Sequence, residues 1–256
     1  MNNPSVKHME DRLGVHMTLL TGHKGALLFD TGYGVEDIAS RVRAITSLPL
    51  TVVLSHGHHD HAMGCLWFDH VFLHEDDLDT YRTYTGRPWR DSVLLTAKSR
   101  GVSVSEENFL SMNVAEAYPL DFQSVDLGGL TVHFLPSPGH TPGSIMAYVP
   151  EEKLLLTGDD WNPVTWCFFP EAMSAQTLLT SLRAALALPF ENVLCPHSGE
   201  IYHRQDILAF LDFCTEDRLL HATPTELGRR FDVDTRMLET PEGYQFHFDF
   251  RKAFPQ

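Results

Sequence analysis

"LSHGHHDHAMG", Leu54–Gly64, gathers four histidines and an aspartate between positions 56 and 61 of a 256-residue chain. The stretch follows "LPLTVV", a short apolar run rich in β-branched residues, so the cluster leaves the C-terminal end of a buried strand. His56 and His58 stand at i and i+2. On an extended segment both imidazoles then point to one side and can chelate one ion. Asp60 and His61 lie past the bend, where the chain has turned and can face a second ion. Imidazole and carboxylate donors suit zinc, with iron or manganese as substitutes.

A lone HxHxDH is moderately specific; donors placed further along the chain raise its weight. "PSPGHTPGS" puts His140 in a Pro/Gly loop after the strand "GLTVHFL", "LLLTGDD" puts Asp159 at the end of another apolar strand, and "VLCPHSG" does the same for His197. Chain direction gathers such strand ends into one cleft. The seven donors are enough for two ions with positions left for water and substrate.

Around these points the pattern alternates between strands and helices. "GALLFDTG" reads as a buried strand ending in a glycine turn, and "VEDIASRVRAITS" as a helix with Val35, Ile38, Val42 and Ile45 on one stripe. "HVFLH" is a further strand, "EDDLDTYRTY" a helix, and residues 86–115 hold one or two short helices around "SVLLTAKSR" and "SEENFLSM". From Phe122 onward strands dominate: "FQSVDL", "GLTVHFLPS", "SIMAYV" and "KLLLTGD", with "PEEK" turning between the last two. "SAQTLLTSLRAALAL" is a helix stopped by Pro189. "NVLCPH" is the last core strand, "RQDILAFLDFCTEDRLLHA" an amphipathic helix, and "MLETPEGYQFHFDF" a terminal hairpin. Two such βα halves in one α/β domain (α+β in four layers) over 1–256, with a core of about 15–200 and the 201–256 helix and hairpin packed on it, make the simplest architecture.

Composition narrows the function classes. With 19 basic against 34 acidic residues the net charge is −15, which repels phosphate backbones and argues against a nucleic-acid partner. No run approaches the ~20 apolar residues that span a bilayer, and the polar start lacks a secretory pattern, so a cytoplasmic protein without a membrane partner is expected. Cys65, Cys167, Cys195 and Cys214 form no close pair and read as reduced, buried thiols.

The order HxHxDH, a PGHTPGS-type histidine, a strand-ending Gly-Asp and a late histidine resembles the metallo-β-lactamase superfamily over roughly residues 15–200. The resemblance implies an αββα sandwich with metals at one edge of the two sheets. It implies His56, His58 and His140 on one ion, Asp60, His61 and His197 on the other, and Asp159 bridging both. Gly158-Asp159 matches the family's Gly-Asp, so Asp159 is preferred over Asp160. His59 fits no ligand position and is read as exposed or as a neighbour of the ligands. The remaining histidines are read as ordinary surface or core residues. Asp30, beyond capping the Gly32 turn, can accept a proton from a ligand histidine and fix its tautomer.

Two ions sharing a water lower its pKa toward neutrality, and one of them polarises the electrophile's oxygen. Asp60 is then the catalytic carboxylate that orients the nucleophile or passes a proton to the leaving group. The reaction expected is metal-assisted hydrolysis of an ester-like bond in a small molecule. The glyoxalase II-like and lactonase-like branch is the nearest in pattern, which favours a thioester or lactone. Glyoxalase II relatives bind glutathione partly through a basic residue in the loop after the bridging aspartate; "DWNPVTWCFFPEAM" has none, and glutathione is disfavoured. Trp161, Trp166 and Phe168 from that segment, expected as a loop over the metals, are candidate substrate contacts beside Phe169, with Tyr33 and Tyr202 as weaker ones. A phosphodiesterase or nuclease, a mononuclear iron persulfide dioxygenase using His56, His58 and His140 alone, and an idle metal-binding sensor remain as alternatives. The sequence leaves the oligomeric state open.

Overall fold

The structure, a computed structural model, describes residues 5–255. The chain divides between His133 and Phe134 into two compact units. The first carries a six-stranded sheet in sequence order: β1 (Val6–Glu10), β2 (His16–Thr21), β3 (Ala26–Phe29), β4 (Leu50–Val53), β5 (His70–Leu73) and β6 (Glu116–Pro119). β1 to β3 are antiparallel and β3 to β6 parallel. Parallel neighbours need a crossover, and helix Ile38–Ile45 supplies the one between β3 and β4. Asp37 caps it by accepting from the Ser40 backbone N–H. Ile38 and Val42 turn inward against Leu19, Leu28, Val52 and Val71. All four side chains of β3 are buried, which is why "ALLF" shows no alternation.

The bend after β3 clamps the histidine turn. Asp30 adopts the left-handed region at φ 67°, uncommon for a residue with a side chain but tolerated by aspartate. The Thr31 backbone N–H and its hydroxyl both donate to the His61 carbonyl at 2.8 Å. Gly64 N donates to the Gly32 carbonyl at 2.9 Å. A Cβ on Gly64 would stand 2.0 Å from the Thr31 carbonyl oxygen, so this approach requires glycine. Downstream, the 86–115 region forms helices Arg87–Ser99 and Glu106–Ser111.

β7 (Ser124–Asp126) pairs antiparallel with the start of β8 (Thr131–Pro136), inside which the division falls. In the second unit follow β9 (Ile145–Val149), β10 (Leu154–Leu156), β11 (Val164–Cys167), β12 (Asn192–Leu194), β13 (Tyr202–His203), β14 (Thr223–Pro224), β15 (Thr235–Glu239) and β16 (Gln245–Asp249). One sheet runs β8-β9-β10-β12-β13, with β10 and β12 parallel; another of four strands runs β11-β16-β15-β14. Helix Ala175–Ala185, capped by Ser174, buries Leu178, Leu179 and Leu182 against Met146, Leu155 and Val193.

Two expectations change here. The segment after Asp159 is not wholly a loop, because "VTWC" pairs in parallel with β16. The helix expected over 204–222 breaks into Arg204–Phe213 and Glu216–Leu220, since Thr215 leaves the helix and caps a new one at Arg218 N. The terminal hairpin forms as β15 and β16, Thr235 opposite Asp249. Among the described residues no helix is long and apolar enough to cross a membrane.

Candidate metal centre

Three of the four donor segments start three residues past the end of a strand, and the fourth, at His140, starts four residues past Pro136, where β8 ends. β4 ends at Val53 and is followed by His56, β10 ends at Leu156 and is followed by Asp159, and β12 ends at Leu194 and is followed by His197.

In the first unit, His58 caps a single helical turn, His59–Ala62, and the chain reverses there. His56, His58 and His61 are buried. The His56 and His58 rings meet edge to face at 4.7 Å, and those of His56 and His61 lie 4.2 Å apart. Asp60 Oδ2 is 3.7 Å from His61 Nε2. Behind them sits Asp30, 2% exposed. Its carboxylate accepts from Ser55 N at 2.7 Å and from the Ser55 hydroxyl at 2.9 Å, and lies 3.1 Å from His61 Nδ1. Because the Ser55 hydroxyl donates to Asp30, it can only accept from His56 Nδ1, 2.9 Å away. Both imidazoles therefore carry their proton on Nδ1 and keep the Nε2 lone pair for a metal. The turn is further held by Gly57 N, which donates to the buried Asp77 carboxylate at 2.5 Å.

Asp11 anchors the loop between β1 and β2 by accepting from Leu13 N, Val15 N and Tyr33 N. Burial pushes its carboxyl up from the ordinary value, with the Asp60 charge adding to that, although the three backbone bonds oppose it.

His59 is neither a solvated residue nor part of the donor row. Its ring lies 4.5 Å from Trp89 and 6.0 Å from Tyr84, with Tyr33 edge-on at 5.5 Å. Its Nδ1 is 3.7 Å from Asp60 Oδ1. We expect His59→Ala to leave bound metal and hydrolysis within about threefold of wild type. Thermal melting should register the lost ring contacts, worth roughly 0.5–1.5 kcal/mol. A large fall in metal content would place His59 among the ligands.

In the second unit, Asp159 holds its carboxylate between two rings: Oδ1 is 3.0 Å from His197 Nε2 and Oδ2 is 3.5 Å from His140 Nε2. Asp160 turns inward, accepting from the Ser137 hydroxyl at 2.5 Å and from His140 N at 3.4 Å. His140 Nδ1 donates to the Trp166 carbonyl at 2.6 Å, which again leaves Nε2 as the lone pair. Helix Ala175–Ala185 presses on this loop so closely that a Cβ on Gly139 would lie 2.6 Å from Leu178 Cα. Cys195, two residues before His197, is pushed up to about 12 by burial and by the Asp159 charge, and stays a thiol near neutrality.

The candidate substrate contacts divide by depth. Trp161 and Phe168 are fully buried, whereas Trp166, Tyr202 and Tyr33 are half-buried. Trp161 packs against Tyr202 and Tyr244, and the Tyr202 hydroxyl lies 3.0 Å from Ser198 Oγ. Sequence reasoning misses Ser55 and the Trp166 carbonyl. Ser55, directly before the first histidine, is visible in the sequence as a hydroxyl at a strand end; a backbone acceptor leaves no such mark.

The chain matches the family model of the metallo-beta-lactamase superfamily over residues 11–197. It is similar to an acyl-coenzyme A thioesterase of Bos taurus, 29% identical over 174 residues that cover 57% of this chain and 60% of that one. It is also similar to a probable metallo-hydrolase of Bacillus subtilis (strain 168), 26% identical over 141 residues, 52% of this chain and 59% of that one. These matches span about three fifths of the length of the two curated relatives. A solved metallo-beta-lactamase family protein of Thermus thermophilus aligns with a TM-score of 0.61 at 20% identity, covering 97% of this chain and 100% of that one. The chain belongs to the metallo-β-lactamase superfamily and has its α+β fold of mixed sheets and helices, the class expected from the sequence.

Proposed function

We propose that this member of the metallo-β-lactamase superfamily is a dinuclear metal-dependent hydrolase of small-molecule esters, with thioesters or lactones preferred. The observation that carries the reading is the protonation pattern of the donors. The Nδ1 atoms of His56, His61 and His140 are engaged by Ser55, Asp30 and the Trp166 carbonyl, which leaves three Nε2 lone pairs for cations. That donor set fits divalent ions, with zinc preferred and iron or manganese as alternatives.

In this reading the two units act as one hydrolase domain. His56, His58 and His140 would hold one ion and Asp60, His61 and His197 the other, with Asp159 shared. When bound, such ions acidify water and polarise a carbonyl oxygen. The chain's own part is then threefold. Asp30 keeps the His61 proton on Nδ1 and, through Ser55, that of His56. Asp60, 16% exposed, holds the proton released by the attacking water and delivers it to the leaving group. The aromatic strand and loop after Asp159 supply an apolar wall, with Trp166 and Tyr202 the side chains still reaching solvent.

The thioester preference draws on the similarity to an acyl-coenzyme A thioesterase, and on the absence of basic residues between Asp159 and Met173, which suits an uncharged acyl portion. We place the protein in the cytoplasm, where its four free, buried cysteines would stay reduced. The test is a rate panel on zinc-loaded protein comparing an acyl thioester, a homoserine lactone, an aryl ester and a bis-aryl phosphodiester, with His58→Ala as the blank. We expect the thioester or the lactone to turn over fastest and the blank to be silent. Turnover of the phosphodiester alone would overturn the substrate class.

A further inference from the structure

β11 and β16 run parallel with Trp166 opposite His247. Their neighbours Thr165, Cys167, Phe246 and Phe248 are fully buried on the core side, so Trp166 and His247 share the other face of this sheet. Both carry a buried polar atom with no hydrogen-bond partner among the described residues, Trp166 Nε1 and His247 Nδ1. His247 as a whole is only 7% exposed. Buried polar atoms are paired almost without exception, so two orphans opposite each other in register point to a missing partner.

Their chemistry is fixed by what surrounds them. Gln245 Nε2 donates to Glu239 Oε2 at 3.3 Å, which sets the amide so that Oε1 lies 3.1 Å from His247 Nε2. Nε2 must therefore be the protonated nitrogen and Nδ1 a bare acceptor. Burial lowers the His247 pKa, which keeps the ring neutral near pH 7. The indole N–H of Trp166 is a donor only. A carboxylate or phosphate would meet the Nδ1 lone pair with no proton to offer, and an ammonium would meet the indole N–H with no lone pair. A hydroxyl group, that of a water or of an alcohol, satisfies both, accepting from Trp166 and donating to His247.

The position ties this pair to the donor set. The backbone carbonyl of Trp166 holds His140 Nδ1, and the Trp166 ring adjoins Phe169, which lies edge-on to His140 at 5.7 Å. We infer that Trp166 and His247 form a hydroxyl-binding subsite beside the His140 donor, recognising an alcohol group on the acyl portion of the substrate. This rests on the hydrolase reading above and narrows it from acyl esters in general to hydroxylated ones. The C-terminal hairpin, which lies beyond the family match, thereby acquires a role in specificity.

The test compares acyl thioesters carrying a hydroxyl at C2, C3 or C4 with the unsubstituted chain of the same length, on metal-loaded full-length protein. One hydroxylated isomer should exceed the plain chain by at least about tenfold in kcat/KM, because without it two buried polar atoms stay unpaired. His247→Leu should abolish that preference while leaving the rate on the plain chain within about threefold; Trp166→Phe should abolish it too, and is read from the ratio of the two rates because Trp166 also lines the acyl wall. His247→Asn, which keeps an acceptor oxygen, should restore part of it and guards against a variant that merely misfolds. Equal rates on all chains, or a preference that survives both substitutions, would overturn the subsite while leaving the hydrolase reading intact. Hydrolysis of none of them would remove the thioester arm of that reading and the subsite with it.

Discussion

Asp159→Ala is expected to cut hydrolysis by roughly a thousandfold or more, about 4 kcal/mol at ~1.4 kcal/mol per factor of ten, and to lower bound metal in parallel. In the second unit its carboxylate stands 3.0 Å from one histidine nitrogen and 3.5 Å from another. In the proposed centre it is the one donor shared by both ions, so its loss weakens two sites at once. The side chain is only 11% exposed, and the metal-free variant should therefore melt somewhat below metal-free wild type. Elemental analysis, a rate assay and a melting curve on the same preparation check all three statements. Full activity in the variant would show that Asp159 is not the shared donor. Asp160 then becomes the candidate, although it is turned toward Ser137.

Asp30 acts by another route, and its substitution should show a different signature. Its carboxylate serves Ser55 N, the Ser55 hydroxyl and His61 Nδ1 from an almost fully buried position. Asp30→Ala leaves those donors in the interior without an acceptor, at about 1–3 kcal/mol each, and asks alanine to hold a left-handed backbone that aspartate tolerates better. The variant should thus be destabilised even without metal. Asp30→Asn keeps the backbone preference but turns an amide into a site built for a carboxylate. It should fold and bind metal about 10–100-fold more weakly, the usual effect of disturbing a partner behind a ligand histidine. Comparing metal-free melting with metal affinity separates the two variants. An Asp30→Asn protein with unchanged affinity would mean that Ser55 alone fixes the tautomer of His56 and that His61 needs no such partner.

Much of this is readable in the sequence because it depends on local order. Apolar runs ending three residues before His56, Asp159 and His197 mark strand ends, and strand ends are where donors can be presented. The helix over Ala175–Ala185 is legible from its leucine stripe and the proline after it. The first two strands escape such reading because "VKHME" and "HMTLLT" gain their meaning only by pairing, Val6 opposite Leu20 and Glu10 opposite His16. β11 is hidden for the same reason: "VTWC" is four residues long and its partner lies about eighty residues away. The break at Thr215 competes with a continuous helical stripe, and the side-chain cap wins. The link from the Trp166 carbonyl to His140 has no sequence signal at all, since every residue offers that acceptor.

The central claim is that the seven donors hold two ions that act together. Its most direct measurement is a zinc titration of metal-free protein, following bound metal and thioester or lactone hydrolysis in the same samples. Two zinc ions bound per chain, activity that needs both, and loss of both ions' tight binding in Asp159→Ala are the results predicted. Full activity at one ion per chain, with the second equivalent adding nothing, would contradict it.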